Sequence, residues 1–252
     1  MPPTKDTSKD LVPFTETFAI AANADALATV MRENLGKGGV SPFDLDRVKI
    51  PTGGGRTWSL PTLEGEADVR EIEGVIVAWS EPRAYLETAF GGGGVPPDCS
   101  SADGETGQGM YGIGSDLHPN GDCDTCPMSQ WGSKLNEKGE ETRGQACRQM
   151  RLLLVLQPEA LLPLAMFLPP TSIKPVHTYF MRLAAQGLPY YGVMTGLSLV
   201  HAQSGDGITY SQVVPRMAGK LSLPDRETVH AYGASLQSAL DAVVLTREDV
   251  EA

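Results

Sequence analysis

Apolar residues along this chain gather in short dense runs separated by glycine, proline and acidic residues, a spacing that predicts strands more often than helices. Glu73 to Trp79 reads EGVIVAW, continuous enough for a buried strand, and Arg83 to Leu86 returns after a Glu81-Pro82 turn. Met150 to Leu156 predicts a second buried strand, and LLPLAMFLPP at 161–170 a third. Tyr190 to His201 and Ile208 to Met217, joined by Ser204-Gly205-Asp206-Gly207, predict a hairpin. Leu45, Val48 and Ile50 suggest a short strand, followed by a Gly53-Gly54-Gly55 turn and another short strand through Trp58 and Leu60.

Helical periodicity occurs in three places. Asn23 or Asp25 caps a helix reaching about Asn34, ended by GKGG at 36–39. Thr171 or Ser172 caps a helix from about Lys174 to Gln186, with Val176, Tyr179, Phe180 and Leu183 on one face and Gly187 as its stop. Pro224 opens a last amphipathic helix with the stripe Val229, Tyr232, Leu236, Leu240 and Val243, after which REDVEA trails away acidic. Residues 1–13 read as a flexible leader. Strands that do not alternate with helices favour a mainly β (α+β) fold: an OB-like Greek-key barrel over 14–252, with N- and C-terminal helices flanking it. The alternative is an irregular α+β domain with a zinc ribbon.

The picture changes at Cys99 to Cys147, which holds all four cysteines of the chain. Cys123 and Cys126 have the two-residue spacing that aims both sulfurs at one ion. Twenty-three residues separate Cys99 from that pair, and twenty separate the pair from Cys147. One structural zinc held by Cys99, Cys123, Cys126 and Cys147 would therefore pin two long glycine-rich arms to one point, and would organise an inserted segment at about 91–148. Two disulfides or four unrelated thiols are the alternatives, and His118 could replace one sulfur. No apolar stretch follows a basic start in MPPTKDTSKDLVPF, so no secretory route is predicted. The longest greasy run is too short to span a bilayer, and the cytoplasm is the expected compartment.

Of 252 residues, 41% are apolar and 20% charged, ordinary for a globular protein. The net charge of −11 argues against a uniformly basic nucleic-acid binder, but it is unevenly spread. Nine basic residues face twenty acidic ones up to Cys126 (−11), nine face five over 127–220 (+4), and two face six after that (−4). A local cationic groove can still follow a phosphate backbone, because screening limits the reach of distant charges to about 8 Å at physiological salt. Arg47, Lys49, Arg56, Arg148, Arg151, Lys174 and Arg182 are the candidate phosphate contacts, and Trp58, Tyr85, Trp131 and Tyr179 the candidate stacking rings. Each has a plainer reading: Trp58 as a buried ring, Tyr179 as core, Trp131 as cover for the metal.

Catalysis is not expected. Gly107-Gln-Gly109-Met-Tyr-Gly112 fits GxGxxG, but neither a leading strand nor a following helix is predicted, so the match is a chance one. No nucleophile elbow or phosphate-cradling loop occurs, the paired aspartates fit turns, and the four histidines are scattered.

Cys123-Asp-Thr-Cys126-Pro127, Trp131-Gly132-Ser133 and Gly144-Gln-Ala146-Cys147-Arg148 running into a hydrophobic strand, with the flanking Pro97-Asp98-Cys99-Ser100 and Pro169-Pro170-Thr171-Ser172 blocks, resemble a signature of phage and mobile-element proteins. Over about residues 45–215 the chain is similar to zinc-containing, OB-like proteins of phage DNA replication or recombination that bind single-stranded DNA. The resemblance implies single-stranded nucleic acid, DNA favoured, as ligand, replication or recombination proteins as partners, and a bacterial host cytoplasm. Unlike the best-known replicative binders, the chain has only Arg247-Glu-Asp-Val-Glu-Ala252 in place of a long acidic tail. The rival is an acidic adaptor or inhibitor that docks a host protein through its N-terminal half.

Overall fold

The computed structural model describes residues 29, 33–34, 45–87, 96–136, 138–158, 160–205, 207–241 and 245–251. The predicted leader and N-terminal helix lie outside these residues, except that Thr29, Glu33 and Asn34 are helical.

The fold is mainly β, with twelve strands in three sheets among the described residues. They are β1 (Arg47–Val48), β2 (Trp58–Thr62), β3 (Gly65–Val69), β4 (Glu71–Ser80), β5 (Arg83–Tyr85), β6 (Cys99–Ser101), β7 (Gln108–Gly109), β8 (Arg148–Gln149), β9 (Arg151–Leu156), β10 (Leu164–Leu168), β11 (Val193–Gln203) and β12 (Thr209–Lys220). Helices α1 (Pro170–Ala184), α2 (Leu223–Ser235), α3 (Gln237–Asp241) and α4 (Arg247–Glu251) complete it.

The main sheet runs β1-β10-β9-β4-β11-β12. Strands β4, β9 and β10 form an antiparallel meander, and β11 returns through α1 to lie beside β4, which is a Greek-key connection. No barrel closes among the described residues: β1 pairs parallel to β10, and the chain after β1 meets β12 through an isolated bridge, Thr52 to Tyr210, rather than a ladder. The two short strands on either side of Gly53-Gly54-Gly55 do not pair with each other; β2 pairs with β3.

Both faces of the main sheet are covered, which is why RLLLVL in β9 is buried at every position. Leu153, Val155, Ile72, Ile76 and Leu197 enclose Trp58 on one face. Leu152, Leu154, Val75 and Val77 meet Val229 of α2 and Leu240, Leu245 and Val250 of the C-terminal segment on the other. Arg247–Glu251 therefore does not trail away: α4 docks, with Val250 only 3% exposed.

Pro169, not Thr171 or Ser172, stands at the N-cap of α1. Pro175 inside this helix has no N–H to offer the Thr171 carbonyl, which accepts from Gln212 of β12 at 2.8 Å instead. The Ser172 hydroxyl accepts from the Val213 amide at 3.1 Å, so the helix covers the outer edge of β12. As expected, Gly187 ends the helical run, at φ +68°.

β5 and β8 continue the β4–β9 ladder beyond the Glu81-Pro82 bend in the same register, Ser80 facing Leu152 and Ala84 facing Arg148. They join β6 and β7 in a small four-stranded sheet, order β7-β6-β5-β8. The cysteine segment is thus an excursion from the tip of a central hairpin.

Candidate functional site: a four-thiol cavity beside a cationic cleft

All four cysteines are buried, unbridged, and line one cavity of about 10 Å³, room for roughly one water-sized body. Cys99 opens β6 opposite Tyr85 and Gly109. Cys123 and Cys126 flank a tight turn in which the Asp122 carboxylate accepts from the Asp124 amide at 3.0 Å and the Thr125 hydroxyl at 2.8 Å. The Ser129 hydroxyl donates to the carbonyls of both Cys123 and Cys126. Backbone bonds draw the arms together: the Cys123 amide donates to Glu105 at 2.8 Å, Gly107 to Gly121 at 2.7 Å, and Cys147 to Met128 at 2.7 Å. The glycines of the apparent GxGxxG belong to this turn system; Gly109, at φ +108°, lies where a Cβ would stand 2.4 Å from the Asp98 carbonyl.

Burial pushes the thiols of Cys99, Cys123 and Cys147 up, the last to about 12, and neighbouring sulfurs add to the rise in all three. Donors oppose it. Backbone N–H groups of Tyr111, Gln108 and Ser100 favour the Cys99 thiolate, the Ser101 hydroxyl favours that of Cys123, and the Arg83 guanidinium favours Cys123 and Cys147. Sulfurs crowded into one buried cavity, with groups suited to thiolates around them, form a donor set whose repulsion a soft dication would relieve. Among the described residues, no three or more His, Cys, Asp or Glu side chains form a group able to hold an ion as they stand. The sulfurs surround the cavity without closing on a point. His118 is not in the cavity wall; its Nε2 lies 2.8 Å from the Asp122 carbonyl.

Cys147 is also part of the wall of a second, open cleft of about 640 Å³. Trp131, Lys134 and Arg148 contribute one side, and Ile173, Lys174 and His177 of α1 the other. Trp131 is 78% exposed, an unusual position for so large a ring. The cleft lies at the end of the β9–β10 ladder where Arg151 faces Leu168.

Of the eleven candidate nucleic-acid contacts, the cleft brings together Trp131, Arg148 and Lys174. The others stand elsewhere. Trp58 is wholly buried and donates its indole N–H to the Leu197 carbonyl at 2.9 Å, so it has no face for a base. Tyr179 is likewise core, its hydroxyl 2.9 Å from that of Thr195. Arg151 is 4% exposed, paired with Glu81 and stacked on Trp79, and is no phosphate contact as it stands. Arg47 is ion-paired with Asp249 and lies over the Phe167 ring. Tyr85 is half-buried in the thiol cavity wall, edge-on to Tyr111. Lys49, Arg56 and Arg182 are exposed but do not line the cleft. Sequence reading missed Arg83, Lys134 and His177; the rise in basic character after Cys126 was the only signal for Lys134.

No family model, curated protein or solved structure matches this chain. Among the described residues no helix is long and apolar enough to cross a membrane.

Proposed function

We propose that this chain binds single-stranded nucleic acid, DNA in preference, with little sequence selectivity, and that its four cysteines hold one structural zinc. The observation that carries the reading is the exposed Trp131 ring set among Lys134, Arg148, Lys174 and His177 in one cleft. Bases stack on such a ring while cations follow the phosphates, an arrangement that suits an unpaired strand better than a duplex, whose bases are already stacked. The Greek-key meander, the helix after its third strand and the closing β11–β12 hairpin support an OB-like reading, with β1 as an added strand at the gap. In such folds the loop between the first two strands and the face of strands two and three bind oligonucleotides. Here that loop is the cysteine segment, and the cleft opens where it meets the β9–β10 end.

Zinc in a four-thiolate site has no open position and does no chemistry; it would fix the segment that carries Trp131. Titration of a labelled oligonucleotide, single-stranded and duplex, at several salt concentrations tests the reading. Tight single-strand binding that weakens with salt is expected, and binding that is absent or indifferent to salt rejects it.

A second reading, an acidic adaptor, has its own observation. Residues 98–126 contain six Asp and Glu and no Lys or Arg, with Ile113 and Leu117 exposed among them. Capture of a basic host protein that survives nuclease treatment would favour it.

A further inference from the structure

A second aromatic surface lies further along α1. Trp79, Phe180, Tyr190, Tyr191 and His230 form an unbroken row, with successive ring centroids 5.9, 5.7, 5.2 and 4.8 Å apart. A row of this size in a core would be closed off from water. Here the first four rings are only half-buried and His230 is exposed. Trp79, Tyr190 and His230 line an open cavity of about 400 Å³ with Gly233, Ala234 and Gln237.

The polar groups next to the row are incomplete. Arg151 lies over Trp79 at 4.7 Å and over Phe180 at 5.8 Å, and its Nε and Nη1 have no hydrogen-bond partner among the described residues. Ser80 Oγ, next to Trp79 in the chain, is also buried without one. Unpaired buried donors are destabilising.

The row also has a direction. His177 lines the cationic cleft and Phe180 stands three positions on, one helical neighbour away. The face of α1 thus leads from the cleft to the aromatic row.

We infer that the cavity lined by Trp79, Tyr190 and His230 is a second stacking site for an unpaired nucleobase, reached by a strand that leaves the Trp131 cleft along α1. This rests on the single-strand reading and adds a path to it. The shortest strands would fill the cleft alone, and longer ones would gain the second platform.

The test compares strands of about four and about sixteen nucleotides, the span of known single-strand site sizes. It uses the unaltered 252-residue chain and the variants Tyr190→Leu, His230→Ala and Trp131→Ala, each checked for an unchanged circular-dichroism spectrum. Tyr190→Leu and His230→Ala are expected to weaken the long strand by roughly fivefold or more and leave the short one unchanged, whereas Trp131→Ala weakens both. Should Tyr190→Leu not fold, exposed His230 still provides the comparison. Long-strand affinity untouched by both variants, or equal losses for both lengths, overturns the second site. Failure of the unaltered protein to bind either strand rejects the single-strand reading itself.

Discussion

Gly233 of α2 lies so close to β4 that a Cβ added to it would stand 2.1 Å from the Val77 carbonyl oxygen. Glycine in a helix ordinarily costs about 1 kcal/mol relative to alanine, so an exposed Gly→Ala change would stabilise. Here contact with backbone decides the sign. Gly233→Ala is expected to destabilise by about 1–3 kcal/mol as α2 is pushed off the sheet, measured by urea unfolding. A stabilised variant would show that the helix can shift freely.

The two tryptophans at the centre of the sequence reading should separate cleanly. Trp58→Phe removes an indole N–H from the Leu197 carbonyl and leaves a void, so it should cost about 1–3 kcal/mol of stability without changing oligonucleotide affinity in the folded fraction. Trp131→Ala should leave the melting temperature nearly unchanged and weaken binding. The reverse pattern would place the strand against Trp58 rather than in the cleft.

Purified under reducing conditions, the protein is expected to contain close to one equivalent of zinc by elemental analysis. Cys147→Ser should reduce that content and lower the melting temperature, because Cys147 lines the cavity and directly precedes β8 at the tip of the central hairpin. Four thiols that react at once in metal-containing, chelator-free native protein would argue against coordination.

Acid should weaken the fold through specific carboxylates. Hydrogen bonds from Arg216 hold Glu71 below its usual 4.5. Burial works to raise Asp103, but bonds from Thr106, Ser101 and Glu105 outweigh it and hold the group below 3.8. A carboxylate whose pKa is depressed by folding adds stability that is complete above its unfolded value and is lost as pH falls through the folded one. Stability from these two groups should therefore be level above about pH 5 and fall below 4. Glu71→Gln should flatten part of that slope in denaturant titrations across this range.

Asp249 ties α4 to the main sheet: it pairs with Arg47 and accepts from the Thr246 amide and hydroxyl, both at 2.8 Å. Asp249→Ala removes one partner of a mostly buried pair and should cost about 2–4 kcal/mol. Hydrogen exchange should show faster opening of 245–251. No loss of protection would mean that burial of Leu245 and Val250 suffices to dock the segment.

The strands that were legible, β4, β9, β10, β11 and β12, share dense apolar runs bounded by turn residues, a signal that survives without tertiary context. β1 was visible as a strand, but its partner was not: two residues set in parallel against Leu164–Leu168 leave no local trace of pairing. Gly65–Val69 carries no apolar strand signal, because GEADV is polar and largely exposed. Ser172, a good capping residue by type, binds the edge of β12 instead of capping α1, which no local pattern reveals. REDVEA looked like a tail because its charges face Asp98 and Arg47, about 150 and 200 positions away in the chain.

By itself the sequence determined the mainly β character, the positions of the long strands and the company of four cysteines, since hydrophobic runs and residue spacing are local properties. Which tryptophan is core and which faces solvent, which arginines are already paired, and that Cys147 is shared by a thiol cavity and an open cleft were decided only in three dimensions. Burial and charge pairing depend on what the fold brings alongside a residue, and Trp58 and Trp131 differ in that respect alone.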